Sequence, residues 1–260
     1  MGRLDLILPL LRERGALALE YLNGADVQFS DMFERIMRHS FGYADPLGAS
    51  LVLWACDACG GDTRSALPLA ASVECFQRFC ALHDELQLPP TVLPEPKTTS
   101  SIWGLAQTLN AGDAFHAMCL ELLGRDAVHG DERTLDAGIM VANAVLLGVE
   151  RRDRLVRSAR GHRRRRMRVA HDGTQVVTLS LSLRVGARMA EASPELSGSL
   201  ERAGRLLGIV VQLASQARGK SSPLAQRYAR KAVELVERSP LRAPYQSEFR
   251  EIAYGLAAGN

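Results

Sequence analysis

One segment constrains the chain more than any other: Ala66 to Leu86, ALPLAASVECFQRFCALHDEL. Leu69, Val73, Phe76 and Cys80 recur at three- and four-residue steps, the period of a helix with an apolar stripe. The stripe runs straight into His83-Asp84-Glu85. Acids closing a buried-type helix are costly unless they bind a cation or face a cavity. Such a chain needs other helices to cover the stripe and a polar end to hold the acids.

The rest of the sequence supplies helices. Periodic apolar positions predict helices over Leu4 to Leu22, Asp31 to His39, Ala49 to Cys59, a start at Thr99, Ser100 or Ser101 running to about Leu123, and Leu135 to Gly148. Further helices are predicted over Leu200 to Gln216, Leu224 to Val236 and Gln246 to Leu256. Ser65 is a candidate cap for the helix that carries Asp84. Gln87 to Thr99 holds four prolines and reads as a loop, as does Gly219 to Pro223. Val176 to Leu183, VVTLSLSL, alternates and by itself reads as a strand, but it has no partner strand. No repeat and no boundary divides residues 1–260, so one all-α domain is expected.

No apolar run reaches membrane-spanning length, and no signal-peptide pattern follows Met1, so a cytoplasmic protein is expected. Of five cysteines, Cys75, Cys80 and Cys119 read as small core residues. Cys56 and Cys59 form a CxxC without the strand of a redox motif or the second ligand pair of a zinc site, so the pair reads as structural. Net charge is +3, but Arg151 to Arg168 holds ten arginines against Asp153. The expectation there is a solvated, mobile basic segment. With no aromatic interleaved, nucleic-acid binding is not expected, and a basic surface binder ranks last among the functions considered.

Against these residues a family resemblance can be set. The helix ending His83-Asp84-Glu85 resembles the one that ends in the first aspartate-rich motif of the trans-isoprenyl diphosphate synthases, the polyprenyl synthetase family. LVLWACDACGG (Leu51 to Gly61) resembles the helix after the family's Gly-Lys-Arg motif, and WGLAQTLNAGDAFHAMCLELLG (Trp103 to Gly124) its helix containing Ala-Gly-Asp. Ser182 to Leu213 resembles the stretch from the Lys-Thr-Gly helix to the second aspartate-rich motif. The resemblance implies an all-α, isoprenoid synthase-type helical bundle around a central cavity, shortened before the C-terminal helix, and it makes Val176 to Leu183 helical.

The motifs themselves are degenerate. Gln87-Leu88-Pro89-Pro90 follows Glu85 without another acid. The family's Gly-Lys-Arg cations fall near Asp45 and Pro46, and its paired arginines are replaced in Leu93 to Lys97. The Lys-Thr-Gly places hold Thr174, Gln175 and Val176, and the second acidic motif reads Ser215-Gln216-Ala217-Arg218-Gly219.

The family's first step is departure of pyrophosphate from an allylic carbon, with Mg²⁺ neutralising the leaving group. Magnesium wants several oxygen ligands in octahedral array. Asp84 and Glu85 are the candidate catalytic and metal-binding residues, or else a helix-end pair facing solvent or a partner. Neighbours on a helix do not share a face, so Mg²⁺ binding is expected to be weak or absent. The candidate pocket holds Phe79, Cys80, His83, Gln212, Ser215 and Gln216. Phe79 and Cys80 occupy the family's cavity-floor places, with plain core packing as the alternative. His83, Asp113 and His116 read as structural, and His171-Asp172 as a weak replacement for the lost Lys-Thr-Gly wall.

The leading expectation is a non-catalytic homodimeric or heterodimeric partner of an active prenyl diphosphate synthase. The alternative is an atypical class I terpene synthase or prenyltransferase, ionising a C10 to C20 prenyl diphosphate with Asp84 and Glu85. Chain elongation by this chain alone is not expected.

Overall fold

A computed structural model describes residues 4–24, 30–42, 46–87, 98–127, 132–157, 171, 173–217 and 222–258. Among these residues there are helices and no strands. The helices are α1 (Leu4–Asn23), α2 (Asp31–Gly42), α3 (Leu47–Ala58), α4 (Leu67–Gln87) and α5 (Thr99–Ala127), then α6 (Glu132–Arg157), α7 (Thr174–Met189), α8 (Pro194–Ala217), α9 (Pro223–Glu237) and α10 (Ala243–Ala258).

Two apolar cores share a wall. One gathers α4 with α5 and α6 around Phe76, Phe115 and Leu122. The other gathers α8, α9 and α10 around Leu200, Val233 and Phe249. α3 and α7 contribute to both: Val52 and Leu53 face the first core while Leu51 and Trp54 face the second, and Val177 and Leu181 oppose Val176 and Leu179. A helix buried on opposite sides shows no simple amphipathic stripe.

That double burial explains Val176 to Leu183. The β-branched, alternating run is helical, as the family resemblance implied, because both of its faces are taken by packing, and tertiary context overrides local propensity. Two glycines let the helices close. A Cβ on Gly186 would lie 2.2 Å from the carbonyl oxygen of Val52, and one on Gly204 would lie 2.2 Å from that of Leu179. α7 therefore sits backbone-to-backbone against α3 and α8.

Three sequence expectations are corrected. Ser65 caps nothing: its hydroxyl donates to the carbonyl of Asp62 at 2.7 Å, one turn before α4. Gly148 does not stop α6, which continues to Arg157. A Cβ there would stand 3.6 Å from the Phe76 ring, an ordinary contact, so the helix tolerates the glycine without needing it. The basic run therefore begins as helix, and Arg151 is buried. Residues 158–168 of that run lie outside the described residues, as do Asp45, Asp172, most of the proline-rich loop (88–97) and 218–221.

Among the described residues no helix is long and apolar enough to cross a membrane. Cys56 is buried with Sγ 3.5 Å from the Asp62 carbonyl oxygen, and burial pushes the Cys56 and Cys59 thiols up to about 11.

Candidate functional site

The acids at the end of α4 meet the start of α7. Thr174 Oγ1 donates to Asp84 Oδ2 at 2.6 Å. By the sequence resemblance Thr174 holds the place of the lysine in Lys-Thr-Gly, and it brings a neutral hydroxyl to Asp84. The carboxylate is half-buried and engaged within the protein.

Glu85 points elsewhere. Its Oε2 accepts the backbone N–H of Ser100 at 3.2 Å, on the first turn of α5. The first N–H groups of a helix lack intrahelical partners, and a carboxylate there also opposes the positive end of the helix dipole. Burial raises the Glu85 pKa, while hydrogen bonds from Ser100 and Thr99 hold it back. The two adjacent acids thus serve two different helices.

α8 runs antiparallel to α7. Gly204 faces Leu179 and Ser180, and Gly208 faces Val176 and Gln175. Gln212, Ser215 and Gln216 follow one to two turns later, at the end of the bundle where α7 begins and Asp84 stands. They are neutral: Gln212 and Gln216 are half-buried and Ser215 is exposed. Gln175 also lies at this end, its Oε1 buried without a hydrogen-bond partner. Among the described residues, the polar side chains named at this end of α7 and α8 are thus amides and hydroxyls.

His83 turns toward α5. Its Nε2 lies 3.6 Å from Asp113 Oδ1, and a Cβ on Gly112 would come within 2.9 Å of its ring. Phe79 is edge-on to His83 at 4.6 Å and stacks on His116 at 5.1 Å. Phe79 and Cys80 are 7% and 1% exposed, inside the packed core. His171 lies apart, its Nε2 3.0 Å from the Tyr228 hydroxyl.

Sequence reasoning missed a buried ion pair in the same helix. Glu74 is 0% exposed and pairs with Arg78 one turn on, while its other oxygen lies 3.5 Å from the Ala49 N–H. The guanidinium stands 5.5 Å from the centre of the Phe41 ring. The four-residue spacing of Glu74 and Arg78 inside an apolar stripe was the available signal.

Among the described residues the donor set does not fit a magnesium cluster of the family type. Asp84 accepts from Thr174, and Glu85 accepts from Ser100 at the start of α5. Among the described residues no group of three or more His, Cys, Asp or Glu is gathered as metal ligands would be.

No known family model matches the chain. Curated relatives do. The chain is 37% identical over 75 residues to geranylgeranyl diphosphate synthase of Mycobacterium tuberculosis, covering 29% of this chain and 21% of that protein. It is 29% identical over 186 residues to (2E,6E)-farnesyl diphosphate synthase of the same organism, covering 71% and 51%. The chain thus spans from about a fifth to half the length of these relatives. Among solved structures, geranylgeranyl pyrophosphate synthetase from Pyrococcus horikoshii superposes with a TM-score of 0.81 at 15% identity, covering 98% of this chain and 99% of that one. The geranyl diphosphate synthase small subunit from Antirrhinum majus superposes with a TM-score of 0.77 at 18% identity, covering 98% and 100%. The helical bundle and the relatives agree: the chain has the fold of the trans-isoprenyl diphosphate synthases and is similar in sequence to members of that family.

Proposed function

We propose that the chain is a non-catalytic subunit of isoprenoid metabolism that pairs with an active prenyl diphosphate synthase and sets its product length or stability. The carrying observation is the engagement of both surviving acids within the fold, Asp84 by Thr174 and Glu85 by Ser100. An acid already satisfied by a hydroxyl from its own fold is poorly placed to collect a metal-bound diphosphate.

The surface supports pairing. Ile102, Leu105 and Leu109 on α5, and Leu135, Ile139 and Leu146 on the adjoining α6, are exposed at helical spacing. Exposed apolar patches of this kind mark interaction sites. The similarity to a geranyl diphosphate synthase small subunit is consistent with such a role.

The test uses purified protein with Mg²⁺ and geranyl, farnesyl or geranylgeranyl diphosphate, alone and mixed with a trans-isoprenyl diphosphate synthase from the same source. No pyrophosphate release alone, with a heteromer and a changed product length in the mixture, supports the subunit. Release alone with a new hydrocarbon or alcohol, lost in Asp84→Ala, overturns it in favour of an atypical terpene synthase.

A further inference from the structure

We propose that the first turn of α5, residues 99–103, is a latch that swings about Gly104 and is held shut by Glu85. Opening it frees the second acid of α4 and uncovers Trp103.

The pivot is a break in the helix. α5 is two helical pieces joined at Gly104, whose φ of 81° and ψ of 169° lie outside any helix. That region of backbone space is essentially confined to glycine. Nothing lies within 4 Å of where a Cβ would stand, so the backbone angle calls for glycine here and a close approach does not. Thr108 Oγ1 donates to the Gly104 carbonyl at 2.9 Å, which ties the pivot to the longer piece. That piece is fixed by Phe115, Cys119 and Leu122, none more than 1% exposed.

The short piece has two anchors. At its start the Ser100 N–H donates to Glu85 Oε2 at 3.2 Å, and Thr99 hydrogen-bonds to the same carboxylate. Four residues after Thr99, on the same face, Trp103 meets His39 of α2 edge-on with ring centres 4.7 Å apart. The outer side, Ser101 and Ile102, is exposed. Ser101 closes the turn on itself, its amide and hydroxyl reaching the Thr98 carbonyl at 3.1 and 2.7 Å. The turn is therefore internally bonded and can move as a unit. A few hydrogen bonds and one ring contact are the kind of attachment that opens locally, well below the cost of global unfolding.

The latch is separate from the Asp84–Thr174 bond, which joins α4 to α7. Any group that competes for Glu85 favours the open state, because it binds only that state. The inference does not depend on whether the chain is catalytic or paired.

The test is amide hydrogen exchange on the full chain, with acrylamide quenching of tryptophan fluorescence alongside it. Trp54 is 1% exposed, so quenching reports Trp103. Residues 100–103 should exchange together and faster than residues 111–122. Glu85→Ala should speed exchange in 100–103 by about tenfold or more, the scale of one hydrogen bond to a charged group, and leave 111–122 unchanged. Gly104→Ala should raise quenching of Trp103, since alanine cannot hold the closed backbone angle, while Gly124→Ala should not. The proposal is overturned if Glu85→Ala leaves 100–103 unchanged, or if 111–122 accelerate with them, which would make α5 open as one piece. Unchanged quenching in Gly104→Ala would overturn the pivot.

Discussion

Asp84 and Thr174, ninety residues apart in sequence, are joined by a 2.6 Å hydrogen bond from the hydroxyl to the carboxylate. The pair ties the end of α4 to the start of α7. Thr174→Val removes the donor and keeps the shape. It should lower unfolding free energy by about 1 kcal/mol, read from urea denaturation. In a double-mutant cycle with Asp84→Asn, the two changes should be non-additive, as expected for direct partners.

Glu85 should report its burial through pH. Burial raises its pKa in the folded protein. The folded state then holds the proton at pH values where the unfolded chain has released it. The contribution is most favourable below the unfolded pKa and declines as pH rises through the folded pKa. Wild type should therefore gain stability relative to Glu85→Gln as pH falls through the carboxylate range. Denaturation midpoints of both proteins across that range check it, and parallel pH profiles would remove the burial argument.

The Glu74–Arg78 pair separates the cost of breaking a buried ion pair from the value of having one. Arg78→Met leaves a carboxylate at 0% exposure without its guanidinium and should cost about 3–5 kcal/mol. Glu74→Gln with Arg78→Met should recover most of that loss, because neither charge then remains to be desolvated. Urea titrations of the single and double variants give both numbers.

Helix existence was legible in the sequence because the apolar periodicity of α4, α8 and α9 is carried locally. α7 was legible only through the family resemblance. A helix flanked by two cores hides its period, and Gly186 and Gly204 reveal their purpose only when the facing carbonyls are known. The site was partly legible. Asp84 stood out as an acid after an apolar stripe, but the hydroxyl that takes it lies on another helix. The helix start held by Glu85 lies fifteen residues on, across the proline-rich loop. The buried role of Arg151 was masked by the arginines around it.

Gly204→Ala tests the α7–α8 contact that aligns the polar end. Its Cβ would meet backbone, the Leu179 carbonyl oxygen at 2.2 Å and carbon at 2.8 Å, so no side-chain rotation relieves it. The helices must separate, with a cost of at least the ~1–3 kcal/mol typical of overpacking. Gly124→Ala is the control, since nothing lies within 4 Å of a Cβ there. Thermal melts should show a clear drop for Gly204→Ala and little change for Gly124→Ala.

The last prediction concerns the face of α5 and α6. Leu105 is 67% and Leu146 70% exposed, the most open of the large apolar side chains described. Apolar side chains this exposed gain nothing from the folded monomer, so replacing them should leave its stability within about 0.5 kcal/mol. In an interface they would be desolvated, and a carboxylate there would lack a partner. Leu105→Asp with Leu146→Asp should therefore convert an assembled species to monomer in sedimentation equilibrium, with the far-ultraviolet helical signal unchanged. The same variant should fail to form the heteromer with the active synthase. Assembly that survives both substitutions would move the interface off this face and leave the two leucines as surface residues.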